Sequence, residues 1–169
     1  MTEVAEEIGE LIVALLPRLR RFARSLSRNQ HDADDLTQVV VERALRNRGQ
    51  FKAGASLASW MFGIMKYAWI DDRRARARRG ETALPEDSGA HPAISPDETH
   101  TTLWSVSEAM SKLPEEQRLA VALVLVEGLS YKEAAEVLEI PIGTLTSRLA
   151  RGRTALAAAL ADEEQGDTA

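Results

Sequence analysis

A segment near the middle of the chain divides it into two parts, each of which must fold around a core of its own. Residues 80–98 hold three of the six prolines and two of the ten glycines, and they show no helical period. This composition is typical of a flexible linker. We therefore expect two domains within the 169 residues, at 1–79 and 99–160, followed by an acidic tail at 161–169.

The part before the linker follows a helical period. Apolar residues recur three and four positions apart over residues 11–26, and Pro17 within them predicts a kink or a restarted helix. Asp32 is a candidate N-cap for a second helix, and Asp35 would lie near the positive end of that helix. Gly49 lies just past its predicted end.

A third helix is predicted to begin after Ser56 and to end in the basic run at residues 73–79. Trp60, Tyr67 and Arg74 form a half-exposed stripe along it. Such a stripe suits single-stranded nucleic acid, because bases stack on aromatic rings while cations follow the backbone. The alternative is that the rings belong to the core and that the arginines end a solvated helix. The stripe predicted to be buried comprises Leu57, Met61, Ile64, Ala68 and Ala75.

The part after the linker has the layout of a helix-turn-helix. A helix is predicted over about 114–128. Ser130 and Glu133 form a capping box that opens a short helix, which breaks at 139–141 before a last helix over about 142–159. No stretch of the chain is rich in strand-forming residues. The predicted fold class is all-α, with two small helical domains joined by a flexible linker.

The two faces of the last predicted helix differ in chemistry. Its apolar face is formed by Leu145, Leu149, Gly152 and Leu156. Its outward face carries hydroxyl and guanidinium groups, namely Thr144, Ser147, Arg151 and Thr154, with Arg148 flanking. These groups suit phosphates and base edges. An ordinary solvated helix would also carry arginines, but their position on the second helix of a helix-turn-helix favours DNA binding.

The charge of the chain is segregated. The 21 Lys and Arg residues and 26 Asp and Glu residues give a net charge of −5. Thirteen of the acids lie in segments without any base, at residues 1–10, 81–98 and 160–169; the rest of the chain therefore carries +8. This distribution favours a polyanionic partner.

Several function classes are disfavoured by composition. The absence of cysteine excludes a disulfide scaffold and a thiolate nucleophile, and the three histidines form no pair with ligand spacing. We find no nucleophile–base pair or phosphate loop, so we expect no enzyme, metal or cofactor. No apolar run approaches the ~20 residues of a membrane span, so we expect a cytoplasmic protein.

The start of the second predicted helix is acidic. Adjacent Asp34 and Asp35 would point about 100° apart, so they cannot form a catalytic acid–base pair by themselves. Capping and dipole compensation account for Asp32 and Asp35. Asp34 and Gln38, one turn apart, remain exposed and suit the docking of a basic protein surface.

Five stretches of the chain together resemble the extracytoplasmic-function group of bacterial RNA polymerase sigma factors. They lie at 32–38 (AspAlaAspAspLeuThrGln), 51–61, 71–79, 113–118 (LeuProGluGluGlnArg) and 129–153. The resemblance covers about residues 11–79 and 103–160, which is 127 of 169 residues. The presence of both halves, in this order and in a chain of this length, points to the family more specifically than the helix-turn-helix does by itself.

This resemblance implies initiation of transcription at specific promoters in a stress or envelope response. Its partners would be core RNA polymerase, promoter DNA and an anti-sigma factor. The positions that match the family's polymerase-binding residues are Asp34, Asp35, Leu36 and Gln38. Those that would meet the melted minus-ten strand are Arg48, Phe51, Lys52, Ser56, Trp60, Tyr67 and Arg74. Those that would read the minus-thirty-five duplex are Thr144, Ser147, Arg148 and Arg151.

The chain departs from the family pattern in two places. The family often has an aromatic residue shortly after the Gln38 position, where residues 39–41 are valines, and often has Arg-Asn where Lys66 and Tyr67 stand. A free-standing helix-turn-helix regulator is the alternative function, although it would need a dimer interface of its own. A protein that mimics one sigma domain to sequester a partner is a third. In free solution we expect the two domains to pack together, or against a partner, and to mask their basic faces.

Overall fold

The computed structural model describes residues 2–27, 29–81 and 98–166, with side chains over 6–27, 29–81 and 105–162. The described residues contain helices and no strand, which confirms the all-α class. The first half consists of α1 (Thr2–Ser27), α2 (Gln30–Arg46) and α3 (Leu57–Arg78). The second half consists of α4 (Glu98–Lys112), α5 (Glu115–Val121), α6 (Tyr131–Leu138) and α7 (Ile142–Gly166). The predicted linker falls, over residues 82–97, outside the described part of the chain.

The three helices of the first half pack around one core. The Phe22 ring of α1 meets the Phe62 ring of α3 edge to face, with centroids 4.9 Å apart. Val40 of α2 and Met61 of α3 are fully buried beside them. The buried face of α3 is wider than the stripe predicted for it, since it also includes Phe62, Met65 and Trp69, whereas Leu57, Ile64 and Ala75 are only half-buried.

Helix α1 runs through Pro17 without a restart, so of the two alternatives predicted there, a kink or a restart, the restart is excluded. Pro17 itself is exposed, and Ile12 and Leu19 on either side of it are buried. A proline inside a helix removes one backbone hydrogen bond and costs about 3 kcal/mol. The burial of apolar side chains both before and after Pro17 offsets that cost and keeps the helix continuous.

Asn29, rather than Asp32, caps α2. The Asn29 Oδ1 accepts the Asp32 N–H at 2.8 Å, and α2 begins at Gln30. Asp32 therefore lies in the first turn, where its carboxylate accepts from the Asn29 Nδ2 at 2.8 Å and pairs with the Arg76 Nη2 of α3 at 3.2 Å. Burial raises the pKa of Asp32, but the hydrogen bonds from Arg76 and Asn29 outweigh it and hold that pKa below its usual value.

The other predicted helix starts are confirmed. The Ser56 Oγ accepts the Ser59 N–H at 3.2 Å and caps α3. At the start of α6, the Ser130 Oγ accepts the Glu133 N–H at 3.2 Å, while the Glu133 carboxylate accepts the Ser130 N–H at 2.9 Å. This reciprocal pair is the predicted capping box.

Helix α5 does not end as a regular α-helix. It continues into a π-helical turn, Ala122–Val126, and the chain reverses at Gly128, whose φ of 73° favours glycine. Helix α7 passes so close to α5 that a Cβ on Gly152 would lie 2.7 Å from the Val121 Cγ2. It extends to Gly166, beyond the end predicted near 159, because residues 160–165 are mostly good helix formers, with leucine, alanine, glutamate and glutamine among them.

The two halves contact each other in this structure, which is one of the two arrangements expected for the free chain. Helix α3 packs against α6, and α1 packs against α5 and the π-helical turn. The Arg118 Nε of α5 donates to the Ser25 backbone oxygen of α1 at 2.7 Å. Masking of the basic residues is only partial, because Arg151 remains exposed.

Candidate nucleic-acid interface

The turn of the helix-turn-helix is set by backbone geometry. Glu139 ends α6 in the left-handed conformation, with φ 55° and ψ 45°, and is the one non-glycine residue with positive φ in the described chain. Pro141 follows, and α7 begins at Ile142. Leu145 and Leu149 are buried against the rest of the second half, as predicted. This burial fixes which face of α7 points outward.

The outward face of α7 brings together the four residues predicted to read a duplex. Ser147 and Arg151 are exposed, and Thr144 is half-buried. The Arg148 Nη2 lies 3.1 Å from the Glu116 Oε1 of α5, and its side chain is 25% exposed. These four residues line an open cleft of about 330 Å³ together with Pro114, Glu116 and Gln117. Arg151 has freedom to reach a base edge, whereas Glu116 holds Arg148 in place.

The first half carries a smaller cleft with an aromatic wall. The Phe51 and Trp60 rings lie 5.4 Å apart between centroids, tilted by 44°. Trp60 and Tyr67 line a cleft of about 170 Å³ together with Arg43, Asn47, Gln50 and Ile64. The rings offer a stacking surface for a base, and the guanidinium and amide groups offer hydrogen bonds to its edge.

The remaining residues predicted to meet a single strand do not line this cleft. Arg48, Lys52 and Arg74 are exposed, and Ser56 is occupied as the cap of α3. Arg43, Asn47 and Gln50 were not predicted. They follow α2 into the 3-10 turn at Arg48–Gln50, and no local sequence pattern marks a cleft that forms between the end of one helix and the side of another.

The acidic start of α2 presents Gln38 and Asp35 to solvent, with Asp34 half-buried. The His31 Nε2 lies 3.5 Å from the Asp35 carboxylate, one turn away. Leu36 is only 7% exposed and belongs to the core. Its side chain therefore helps to position α2, and its assignment as a docking residue stays a prediction.

Between the two halves lies a buried carboxylate that sequence analysis missed. Glu127 follows the π-helical turn, and its side chain is 1% exposed. The Arg18 Nε donates to it at 3.1 Å and the Arg21 Nε at 2.7 Å, while the Arg18 Nη2 donates to the Glu127 backbone oxygen at 2.7 Å. The hydrogen bond to Glu127 raises the pKa of Arg21. A lone carboxylate at the end of the apolar run 119–126 was the signal in the sequence.

A second contact between the halves involves Glu139 at the helix-turn-helix turn. The Lys66 Nζ of α3 lies 2.9 Å from the Glu139 Oε2. Hydrogen bonds from Tyr67 and then Lys66 lower the pKa of Glu139. The same carboxylate raises the pKa of Tyr67. Glu139 is therefore ionised near neutral pH.

The described residues contain neither a cluster of metal ligands nor a membrane-spanning helix. No group of three or more His, Asp or Glu side chains is arranged to hold a metal ion there. None of the helices is both long and apolar enough to cross a membrane.

Two family matches cover the two halves separately. Residues 12–66 match the Sigma2 domain of PhyR, and residues 103–156 match Sigma-70, region 4. Two relatives span most of the chain. The ECF RNA polymerase sigma factor EcfG of Rhodopseudomonas palustris is 38% identical over 157 residues, which cover 93% of this chain and 87% of the relative. The ECF RNA polymerase sigma factor SigM of Mycobacterium tuberculosis is 38% identical over 140 residues, which cover 83% of this chain and 70% of that relative.

A solved structure agrees with the arrangement of the helices. The sigma factor RpoE from Bartonella quintana, crystallised in complex with the anti-sigma factor NepR, superposes with a TM-score of 0.80 at 31% identity. The match covers 92% of this chain and 97% of that one, so it includes both halves. The chain belongs to the extracytoplasmic-function (ECF) group of RNA polymerase sigma factors.

Proposed function

We propose that this protein binds core RNA polymerase in the cytoplasm, directs it to specific promoters and helps to open them, as part of a stress or envelope response. One observation carries the proposal: a single chain holds both the outward face of α7 at Ser147 and Arg151 and the aromatic cleft at Phe51 and Trp60. Reading a duplex and holding a melted strand need these two different surfaces. The role is binding rather than catalysis.

Arg151 is the proposed reader of the minus-thirty-five duplex. A guanidinium can donate two hydrogen bonds to a guanine in the major groove, and Arg151 is exposed on the outward face of α7. We expect R151A to weaken binding of the cognate duplex by about 1–3 kcal/mol and to relax the choice of one base pair. Titrations on a panel of single-base variants measure both effects.

Arg153→Ala is the matched control for this experiment. Arg153 is exposed on the same helix, and it lies about 160° around the helix axis from Arg151. The same charge is removed, so a loss confined to R151A comes from the face and not from the net charge. Equal losses in both variants, or none in R151A, would refute the assignment of this face.

Polymerase docking is proposed for Asp34 and Gln38 on α2. We expect the double variant D34R/Q38A to weaken binding to core polymerase while its circular dichroism stays unchanged. Glu10→Arg is a suitable control, because Glu10 is exposed on α1 and its reversal changes the charge by the same amount. Undiminished binding by a folded D34R/Q38A protein would remove this site.

The alternative functions predict different behaviour with polymerase. A free-standing helix-turn-helix regulator would bind its site as a dimer without polymerase, and a sequestering mimic would bind a partner without DNA. We expect purified chain plus core polymerase to give run-off transcripts from a cognate promoter, and either component alone to give none. The similarity to RpoE, whose structure was solved with an anti-sigma factor, supports the proposal that this chain is also held by one. Transcripts that do not depend on this chain would reject the sigma-factor role.

A further inference from the structure

Lys66 and Tyr67, two residues that depart from the family pattern, both interact with a carboxylate from the other half of the chain. Lys66 is only 6% exposed, and its Nζ lies 2.9 Å from the Glu139 Oε2 and 4.4 Å from the centroid of the Tyr67 ring. The Glu139 carboxylate also raises the pKa of Tyr67, the residue that follows Lys66 on α3. A buried ammonium that lies over the ring of the adjacent tyrosine is thus paired with one anionic group from the other half.

The position of Glu139 makes this anion replaceable. Its side chain is 61% exposed, so the contact lies at the rim of the interface, where another anion can reach it. Tyr67, in turn, lines the aromatic cleft beside Trp60. An anion bound by Lys66 and Tyr67 would therefore lie next to a base held in that cleft. The phosphate and the base of a nucleotide are neighbours in the same way.

We propose that the Glu139 carboxylate occupies the place of a backbone phosphate of single-stranded DNA at Lys66 and Tyr67, so that closure of the two halves and strand binding exclude each other. The proposal rests on the assignment of the aromatic cleft to the melted strand. Glu139 belongs to the turn of the helix-turn-helix, so the reading domain itself carries the group that blocks the strand site. Release of the second half then frees the strand site, while the outward face of α7 is exposed in both arrangements.

Glu127 contributes an anchor to the closed arrangement at a separate place. Its buried carboxylate accepts from Arg18 and Arg21 of α1, and it touches neither Lys66 nor Tyr67. Weakening this anchor should open the halves without changing the strand site. The two contacts can therefore be perturbed independently.

The test uses the full chain and a fluorescein-labelled single-stranded DNA of mixed sequence, twelve nucleotides long. We expect E139Q to tighten strand binding about threefold, which is the contribution of a single partly exposed ion pair, and E127Q to tighten it as well. Lys66→Gln should open the halves but weaken strand binding, because it removes the cation that both anions need. Glu136→Gln, an exposed charge on α6 without a described partner, should change neither.

Opening is measured in the same variants by energy transfer between two dyes. The chain has no cysteine, so Gln30→Cys and Ala158→Cys, both at exposed positions, supply two labelling sites. We expect energy transfer to fall in E139Q, E127Q and K66Q, and to fall in the parent protein when the strand is added. The opposite effects of E139Q and K66Q on affinity, with the same effect on opening, are the signature of a shared site.

The proposal is overturned if E139Q and K66Q change strand affinity in the same direction, or if the strand binds the parent protein without lowering energy transfer. It is also overturned if no variant binds the strand. Run-off transcription separates this from the proposed function. Normal transcription together with unchanged strand affinity in E139Q rejects the competition alone, whereas absent transcription rejects the sigma-factor role whatever the strand affinities are.

Discussion

One methyl group added at Gly152 should test how closely α5 and α7 pack in the second half. A Cβ there would lie 2.7 Å from the Val121 Cγ2, 3.2 Å from the Gln117 backbone oxygen and 3.4 Å from the Gln117 Cβ. Carbon atoms pack at about 3.5–4.0 Å, so α7 and α5 must move apart by nearly an ångström. Val121 cannot turn aside, because it is 1% exposed and β-branched in a helix.

The expected free-energy change of G152A has two parts. Overpacking of a core contact costs about 1–3 kcal/mol. Replacing a glycine inside a helix by alanine returns up to about 1 kcal/mol through helix propensity. We expect a net destabilisation of about 1–2 kcal/mol. It should appear in urea unfolding followed by circular dichroism, as a lower midpoint with an unchanged slope.

Gly143→Ala is the matched control on the same helix, because a Cβ on Gly143 would meet nothing within 4 Å. This variant should be neutral or slightly stabilised, since it gains propensity without overpacking. If G152A proved as stable as G143A, the close approach of α5 and α7 would be refuted.

Three further predictions concern the first half and the linker. F62A should lower the free energy of unfolding by about 3–5 kcal/mol, since it removes a buried ring in edge-to-face contact with Phe22, and urea unfolding measures it. D32N should be less stable than the parent at neutral pH. Because the folded-state pKa of Asp32 is lowered, its contribution is complete above the unfolded pKa of about 3.9 and is lost as pH falls through the folded value, so the two unfolding curves should converge in acid. Neutralising the five acids of residues 81–98 should raise non-specific duplex affinity in dilute buffer, as measured by fluorescence anisotropy, and equal affinities would make the linker only a tether.

The sequence predicted best the features that depend on neighbouring residues. The capping box at Ser130, the cap at Ser56 and the two faces of α7 follow from spacing alone, and all three are confirmed. The start of α2 could not be resolved in this way. Asn29 and Asp32 are both good caps, and the earlier one prevails because it adds three residues to the helix while Asp32 still binds Arg76.

Contacts between residues far apart in the sequence could not be predicted from local sequence patterns. Pro17 predicts a break locally, whereas the apolar face that keeps α1 continuous is completed by α2 and α3, which the local pattern does not include. Glu127 meets Arg18 across 109 positions, and Glu139 meets Lys66 across 73. Their pairing depends on how the two halves pack, which spacing along the chain does not show.

The hydrogen bonds described between the two halves all involve a charged side chain, as at Glu127, Glu139 and Arg118. Added salt weakens the partly exposed ion pair between Lys66 and Glu139 and so favours the open chain, yet it also weakens the contacts that the open chain makes with phosphates. The two effects oppose each other in a binding titration. The slope of log affinity against log salt concentration should therefore be shallower than the number of contacted phosphates predicts. A variant whose halves are already opened by a change at Glu127 should show a steeper slope, closer to the one predicted from that number.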